Sequence, residues 1–132
     1  MKLVIVESPY AGDVAKNLAY VRACMRDCLL RGEAPYASHA LYTQLGVLDD
    51  TVHEERRLGM EAGFEWSRVE GVTRVFYLDL GRSRGMVEAH KLCIEENIPY
   101  EDRVLGPLWR NKHVGVCLKQ VYPDGEPDVQ LR

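Results

Sequence analysis

Thr73-Arg74-Val75-Phe76-Tyr77-Leu78-Asp79-Leu80, followed by Gly81-Arg82-Ser83-Arg84-Gly85, decides the fold. The first eight residues are rich in β-branched and aromatic side chains, which suits a central strand. The glycines and serine after them turn the chain, and a helical pattern runs from about Met86 to Asn97. Lys2 to Glu7 is a second run of this type, apolar without alternation, as a strand buried on both faces reads. Ser8-Pro9-Tyr10-Ala11-Gly12 follows it. Asp13 can then cap a helix whose apolar positions Val14, Leu18, Val21, Met25, Cys28 and Leu29 repeat at helical spacing until Gly32.

Working outward from these two units, Ala34 to Ala37 is a brief extended piece, and His39 to Gln44 a polar-aromatic stretch with no decisive local pattern. Thr51 with Glu54 matches a capping box, and Leu58, Ala62, Trp66 and Val69 mark one face of the helix it would start, closed by Gly71. Pro99 to about Leu105 reads as extended, and Val114 to Val121 as an alternating edge strand. The alternation of strands and helices predicts an α/β domain over residues 1–122. It would be a Rossmann-like, flavodoxin-like three-layer sandwich on a parallel sheet of about five strands, with 123–132 a loosely held tail.

Composition narrows the function. The apolar fraction of 46% and charged fraction of 28% suit a soluble globular chain, and no segment reaches the ~18 apolar residues of a membrane span. Seventeen Lys and Arg against twenty Asp and Glu leave a net charge of −3, which argues against a nucleic-acid polymer as partner. Lys2 leads straight into Leu3-Val4-Ile5-Val6 and Glu7 with no long apolar run, so a cytoplasmic location is expected. Cys24, Cys28, Cys93 and Cys117 show no paired metal or disulfide spacing and read as small buried hydrophobes. No bound metal and no cofactor are expected.

Ligands of such sheets bind at the carboxyl ends of the strands, which selects Ser8 to Asp13, His39 to Tyr42, and Asp79 to Glu88. Ser83 and the amides from Gly81 through Gly85 to Met86 can cradle a phosphate, with Arg82 or Arg84 adding charge; glycine in such a turn can equally serve geometry alone. Glu88, expected in the first helical turn, is placed either to act as a nucleophile at a sugar C1′ or to stabilise the helix start, an effect of roughly 0.3–1 kcal/mol. Asp79 can hold a sugar hydroxyl or protonate a leaving nitrogen, or simply form a turn. Ser8, Tyr10, Asp13, His39 and Tyr42 are candidates to line the pocket. The charges of Glu54, Glu55, Arg56 and Arg57 read as a surface or interface face; Trp66 and Trp109 are large enough to anchor a dimer or stack on a base, with burial in the monomer the simpler expectation.

Ser8-Pro9-Tyr10, Tyr36-Ala37-Ser38-His39-Ala40-Leu41-Tyr42, Arg57-x-Gly59 and Ser83-Arg84-Gly85-Met86-Val87-Glu88 together resemble a family of small phage and bacterial proteins related to nucleoside 2-deoxyribosyltransferases. The likeness covers roughly residues 2 to 105. It implies a flavodoxin-like fold, a homodimer or higher oligomer, and a nucleoside or nucleotide ligand. It also implies either N-glycosidic bond cleavage or base exchange through a glutamate nucleophile, or non-catalytic nucleotide binding or sequestration. By this resemblance Glu88 matches the nucleophile and Ser83 to Gly85 the phosphate- or sugar-binding loop, while Tyr10 and Asp79 fall near positions that contact sugar or base. The related enzymes commonly carry one more glycine between the serine and the glutamate.

Overall fold

The computed structural model describes residues 1–111, so the expected strand over 114–121 and the tail 123–132 lie outside the described residues. Strand β1 (Lys2–Glu7) leads to helix α1 (Val14–Leu30), and strand β2 (Glu33–Tyr36) follows. The Asp13 side chain accepts a hydrogen bond from Lys16 N at the start of α1. Past its end Gly32 takes φ +80°, a conformation open to glycine without the clash a Cβ would bring. A short helix α2 (Ser38–Leu41) and the longer α3 (His53–Ser67) precede strand β3 (Thr73–Tyr77), helix α4 (Arg84–Glu95) and strand β4 (Tyr100–Arg103).

The four strands form one parallel sheet in the order β2-β1-β3-β4. This is an α/β Rossmann-like sheet with four strands among the described residues, where about five were expected over the whole chain. Alternation along the strands makes the layers. Val4, Val6, Val75 and Tyr77 pack against Tyr20, Val21, Cys24 and Cys28 of α1. Phe76 points the other way, to Met86, Ala89 and Cys93 of α4 and Phe64 of α3. Full burial of a side chain the size of Val4, Phe76 or Met86 contributes about 1.5–3 kcal/mol relative to exposure.

Among the described residues the buried charged side chains Glu33, Arg74 and Arg103 are ion-paired. Arg103 of β4 makes two hydrogen bonds to Glu33 of β2, at 2.7 and 2.6 Å, tying together the two outer strands among the described residues. Cys24, Cys28 and Cys93 are free and buried, and burial raises the pKa of each thiol. Among the described residues no helix is long and apolar enough to cross a membrane.

Several local expectations are corrected. The capping box at Thr51 and Glu54 does not form: the Thr51 hydroxyl donates to Asp49 Oδ1 at 2.6 Å, and Val52 precedes α3 without a side-chain cap. The apolar positions chosen for α3 do not mark its buried face. Leu58, Trp66 and Val69 are exposed, and the buried residues are Gly63 and Ser67. At Gly63 α2 comes close enough that a Cβ would lie 2.9 Å from Ser38 Oγ. Trp109 is buried as expected, its ring edge-on to Tyr20 at 5.1 Å.

Candidate functional site: a cleft at the switch between β1 and β3

Strands β1 and β3 are neighbours in the sheet, yet the chain leaves them in opposite directions, to α1 and β2 from one and to α4 and β4 from the other. Their carboxyl ends therefore open a crevice that no connection fills. A cleft of about 340 Å³ lies there, within the roughly 300–1,000 Å³ usual for small-molecule sites. Its walls are Glu7 at the end of β1, Ser8 and Tyr10 after it, Ser38 and His39 of α2, Arg56, Met60, Gly63 and Phe64 of α3, Arg74 of β3, and Ser83 to Met86 with Ala89 from the cap and first turns of α4. Asp50 completes the rim.

The floor is a buried ion pair. Arg74, 1% exposed, reaches Glu7 of β1, donates to Ser67 Oγ at 2.7 Å and to the Gly63 carbonyl at 3.2 Å, and stands 5.0 Å from the Phe64 ring centre. Burial lowers the Arg74 pKa to about 10, far enough above neutrality that the guanidinium stays charged. Beside this pair, Ser8 Oγ lies 2.8 Å from His39 Nε2. Burial pushes the imidazole down to about 4, so His39 is neutral at pH 7. Burial raises the Asp50 pKa, with Arg56 acting in the opposite direction.

The α4 end of the cleft is a helix N-terminus. Ser83 caps it, its hydroxyl accepting from Met86 N at 3.3 Å while Ser83 N donates to the Met86 sulfur at 3.5 Å. The amides of Arg84 and Gly85, at the first two helical positions, have no intrahelical acceptor. Of the charged residues on the walls, Glu7 and Arg74 cancel, and two arginines against Asp50 leave the cleft with an excess of positive charge.

The structure brings together Ser8, Tyr10, His39, Ser83, Gly85 and Met86, all expected from the sequence. It does not bring in the others. Asp79 is committed to the framework. Its carboxylate accepts from Tyr20 OH at 2.6 Å, from Leu105 N at 2.8 Å and from Gly106 N at 2.9 Å. Burial works to raise the Asp79 pKa, but these hydrogen bonds prevail and hold it below the ordinary carboxylate value. Asp13 is the cap of α1. Gly81 forms the turn after β3, its amide bonded to the Leu78 carbonyl, and lines none of the cleft. Tyr42 packs edge-on to Tyr36, accepts from Trp66 Nε1 at 3.3 Å, and lines a small separate cavity with His39.

Glu88 is the largest correction. Helix α4 starts at Arg84, two residues earlier than expected, because the Ser83 hydroxyl caps it. Glu88 thus falls in the second turn, its side chain 51% exposed and 3.9 Å from Arg84 Nε. It does not line the cleft with Tyr10, and neither does Asp79. Glu88 instead borders an adjoining hollow of about 450 Å³ that shares Arg56, Met60, Phe64 and Arg84 with the cleft. Arg82 is turned away, paired with Asp102 at 2.9 Å.

Sequence reasoning missed Arg56, read there as surface charge, and the Glu7–Arg74 floor. A charged residue inside a strand buried on both faces must find a partner, and that was the available signal for Arg74. A larger groove of about 830 Å³ runs along α1 between Ala15, Arg22, Arg26, Trp109 and Arg110, on a helix flank away from the strand ends. Among the described residues no group of His, Cys, Asp and Glu could hold a metal ion.

No curated protein and no solved structure matches the chain. The model of one family, described as a domain of unknown function (DUF7768), matches residues 2–103, which takes in all four strands and every wall of the cleft. The chain therefore belongs to the DUF7768 family.

Proposed function

We propose that the cleft between β1 and β3 binds a small phosphorylated ligand of the nucleoside 5′-monophosphate class. The observation that carries this reading is the meeting of the open N-terminal turn of α4 with Arg56 and Arg84 at one mouth. Backbone amides at a helix start and two guanidinium groups both favour an anion with several oxygens, and arginine's planar fork matches phosphate. Tyr10, Met60 and Phe64 supply apolar surface on the same cleft for a base or sugar. The resemblance to nucleotide-processing proteins favours the same ligand class.

Thermal denaturation with a panel of nucleosides and their 5′-monophosphates tests the reading. A melting temperature raised by monophosphates, weakly or not at all by nucleosides, and lost in Arg56→Ala, is the expected result. Equal shifts from nucleosides and monophosphates, or none from either, contradict it.

A second reading is N-glycosidic cleavage or base exchange with Glu88 as nucleophile. The hollow bordered by Glu88 adjoins the cleft through Arg56, Met60, Phe64 and Arg84, and this favours it. A sugar extending from the cleft into that hollow would approach the carboxylate. Release of free base by the wild type, abolished in Glu88→Gln with nucleotide binding retained, is its expected signature.

A further inference from the structure

A phosphate on the α4 turn leaves Ser8 and His39, which line the same cleft, without a role. Ser8 is 5% exposed and stands directly after β1, whose last residue Glu7 pairs in register with Phe76 of the strand that leads to α4. The hydroxyl is 2.8 Å from His39 Nε2, and both side chains line the cleft. A serine hydroxyl within hydrogen-bond reach of a neutral imidazole is the geometry of an activated nucleophile.

We propose that Ser8 Oγ is the nucleophile, and His39 Nε2 its base, for hydrolysis of a phosphate monoester bound in this cleft. The proposal rests on the phosphate reading above. With the ring proton on Nδ1, Nε2 accepts the Ser8 proton as the Oγ–P bond forms and the P–O bond to the alcohol breaks. The imidazolium returns that proton to the departing alkoxide, giving the free alcohol and a phosphoserine. His39 then takes a proton from water, whose oxygen attacks phosphorus. The Oγ–P bond breaks, the proton returns to Ser8, and inorganic phosphate leaves.

Two features of the site suit this sequence. The amides of Arg84 and Gly85 and the guanidinium of Arg56 can hold the non-transferring oxygens, where charge must be stabilised as the bonds change. Burial keeps the imidazole unprotonated in the empty cleft. A phosphate dianion brought beside it acts the other way and strengthens it as a base when the proton has to be received.

The test uses the full chain with p-nitrophenyl phosphate, a nucleoside 5′-monophosphate and inorganic phosphate. The expected result is nitrophenolate or phosphate release together with one phosphoryl group mapped to Ser8 in acid-quenched protein. Ser8→Ala should lose both. His39→Gln, which keeps a hydrogen-bonding partner for Ser8, should slow release by ~100-fold or more. Added imidazole should restore part of the rate in His39→Ala, which a purely structural role for the ring would not allow. If Ser8→Ala fails to fold, the mapped site in the wild type decides. A wild type stabilised by inorganic phosphate that releases nothing and carries no phosphoserine overturns the proposal while leaving the phosphate reading intact. A phosphoryl group on any residue other than Ser8 overturns it equally. No stabilisation by phosphate or by the monophosphate removes both readings.

Discussion

Acidification from pH 7 to pH 5 should cost the fold about 2 kcal/mol through His39 alone. Burial pushes the folded imidazole down to about 4, whereas the unfolded side chain titrates near 6.5. The unfolded chain therefore binds more protons throughout the window between these values. Stability contributed by keeping His39 neutral is present above about pH 6.5, falls as the pH drops through the window, and is fully lost below about pH 4. The gap of about 2.5 units corresponds to a limit of about 3 kcal/mol, of which some two-thirds has been lost by pH 5. Urea denaturation of wild type and His39→Gln at pH 7, 6 and 5 isolates the effect, because all carboxylates titrate alike in both proteins. The wild type should lose about 2 kcal/mol more than the variant over this range. Parallel losses would mean that His39 is protonated or solvated in the folded state, and the neutral Ser8–His39 pair would not exist.

Asp79→Ala should destabilise the protein by about 2–4 kcal/mol, since it strips acceptors from Tyr20 OH and the Leu105 and Gly106 amides; nucleotide-induced thermal shifts should persist, and their selective loss would return Asp79 to the site. Arg74→Met leaves Glu7 as an unpaired, largely buried carboxylate and should cost about 3–5 kcal/mol. Much of that should be recovered in the double variant Glu7→Gln, Arg74→Met, measured by urea unfolding. Gly63→Ala places a Cβ 2.9 Å from Ser38 Oγ and should cost about 1–3 kcal/mol, relieved in a chain that also carries Ser38→Gly.

The central strands were legible because a strand covered on both faces is apolar wherever no buried partner meets a charge, as at Val4-Ile5-Val6 and Val75-Phe76-Tyr77. Six of the eleven candidate site residues converge for a related reason: the carboxyl ends of adjacent parallel strands lie side by side wherever such a sheet forms. What escaped the sequence depends on competition between partners. The Ser83 hydroxyl starts α4 two residues early and carries Glu88 into the second turn. Asp49 takes the Thr51 hydroxyl that was expected to cap α3. Asp79 is claimed by Tyr20, Leu105 and Gly106, residues distant in the chain that no local pattern could announce. The face of α3 was misassigned because its buried positions are Gly63 and Ser67, and at Gly63 the absence of a side chain is what lets Ser38 come close. Arg56 and Arg57 look alike in sequence, yet Arg57 pairs with Glu61 at 3.3 Å on the surface while Arg56 turns to the cleft.

Titration of a nucleoside 5′-monophosphate into isotope-labelled protein, followed by the backbone amide resonances, tests the phosphate cleft most directly. The amides of Arg84 and Gly85 should show the largest shifts, saturating together with those of Ser8 and His39, and the response should collapse in Arg56→Ala. Shifts centred on α1 and Trp109 instead, with Arg84 and Gly85 unmoved, would place the ligand in the groove along α1 and contradict the account.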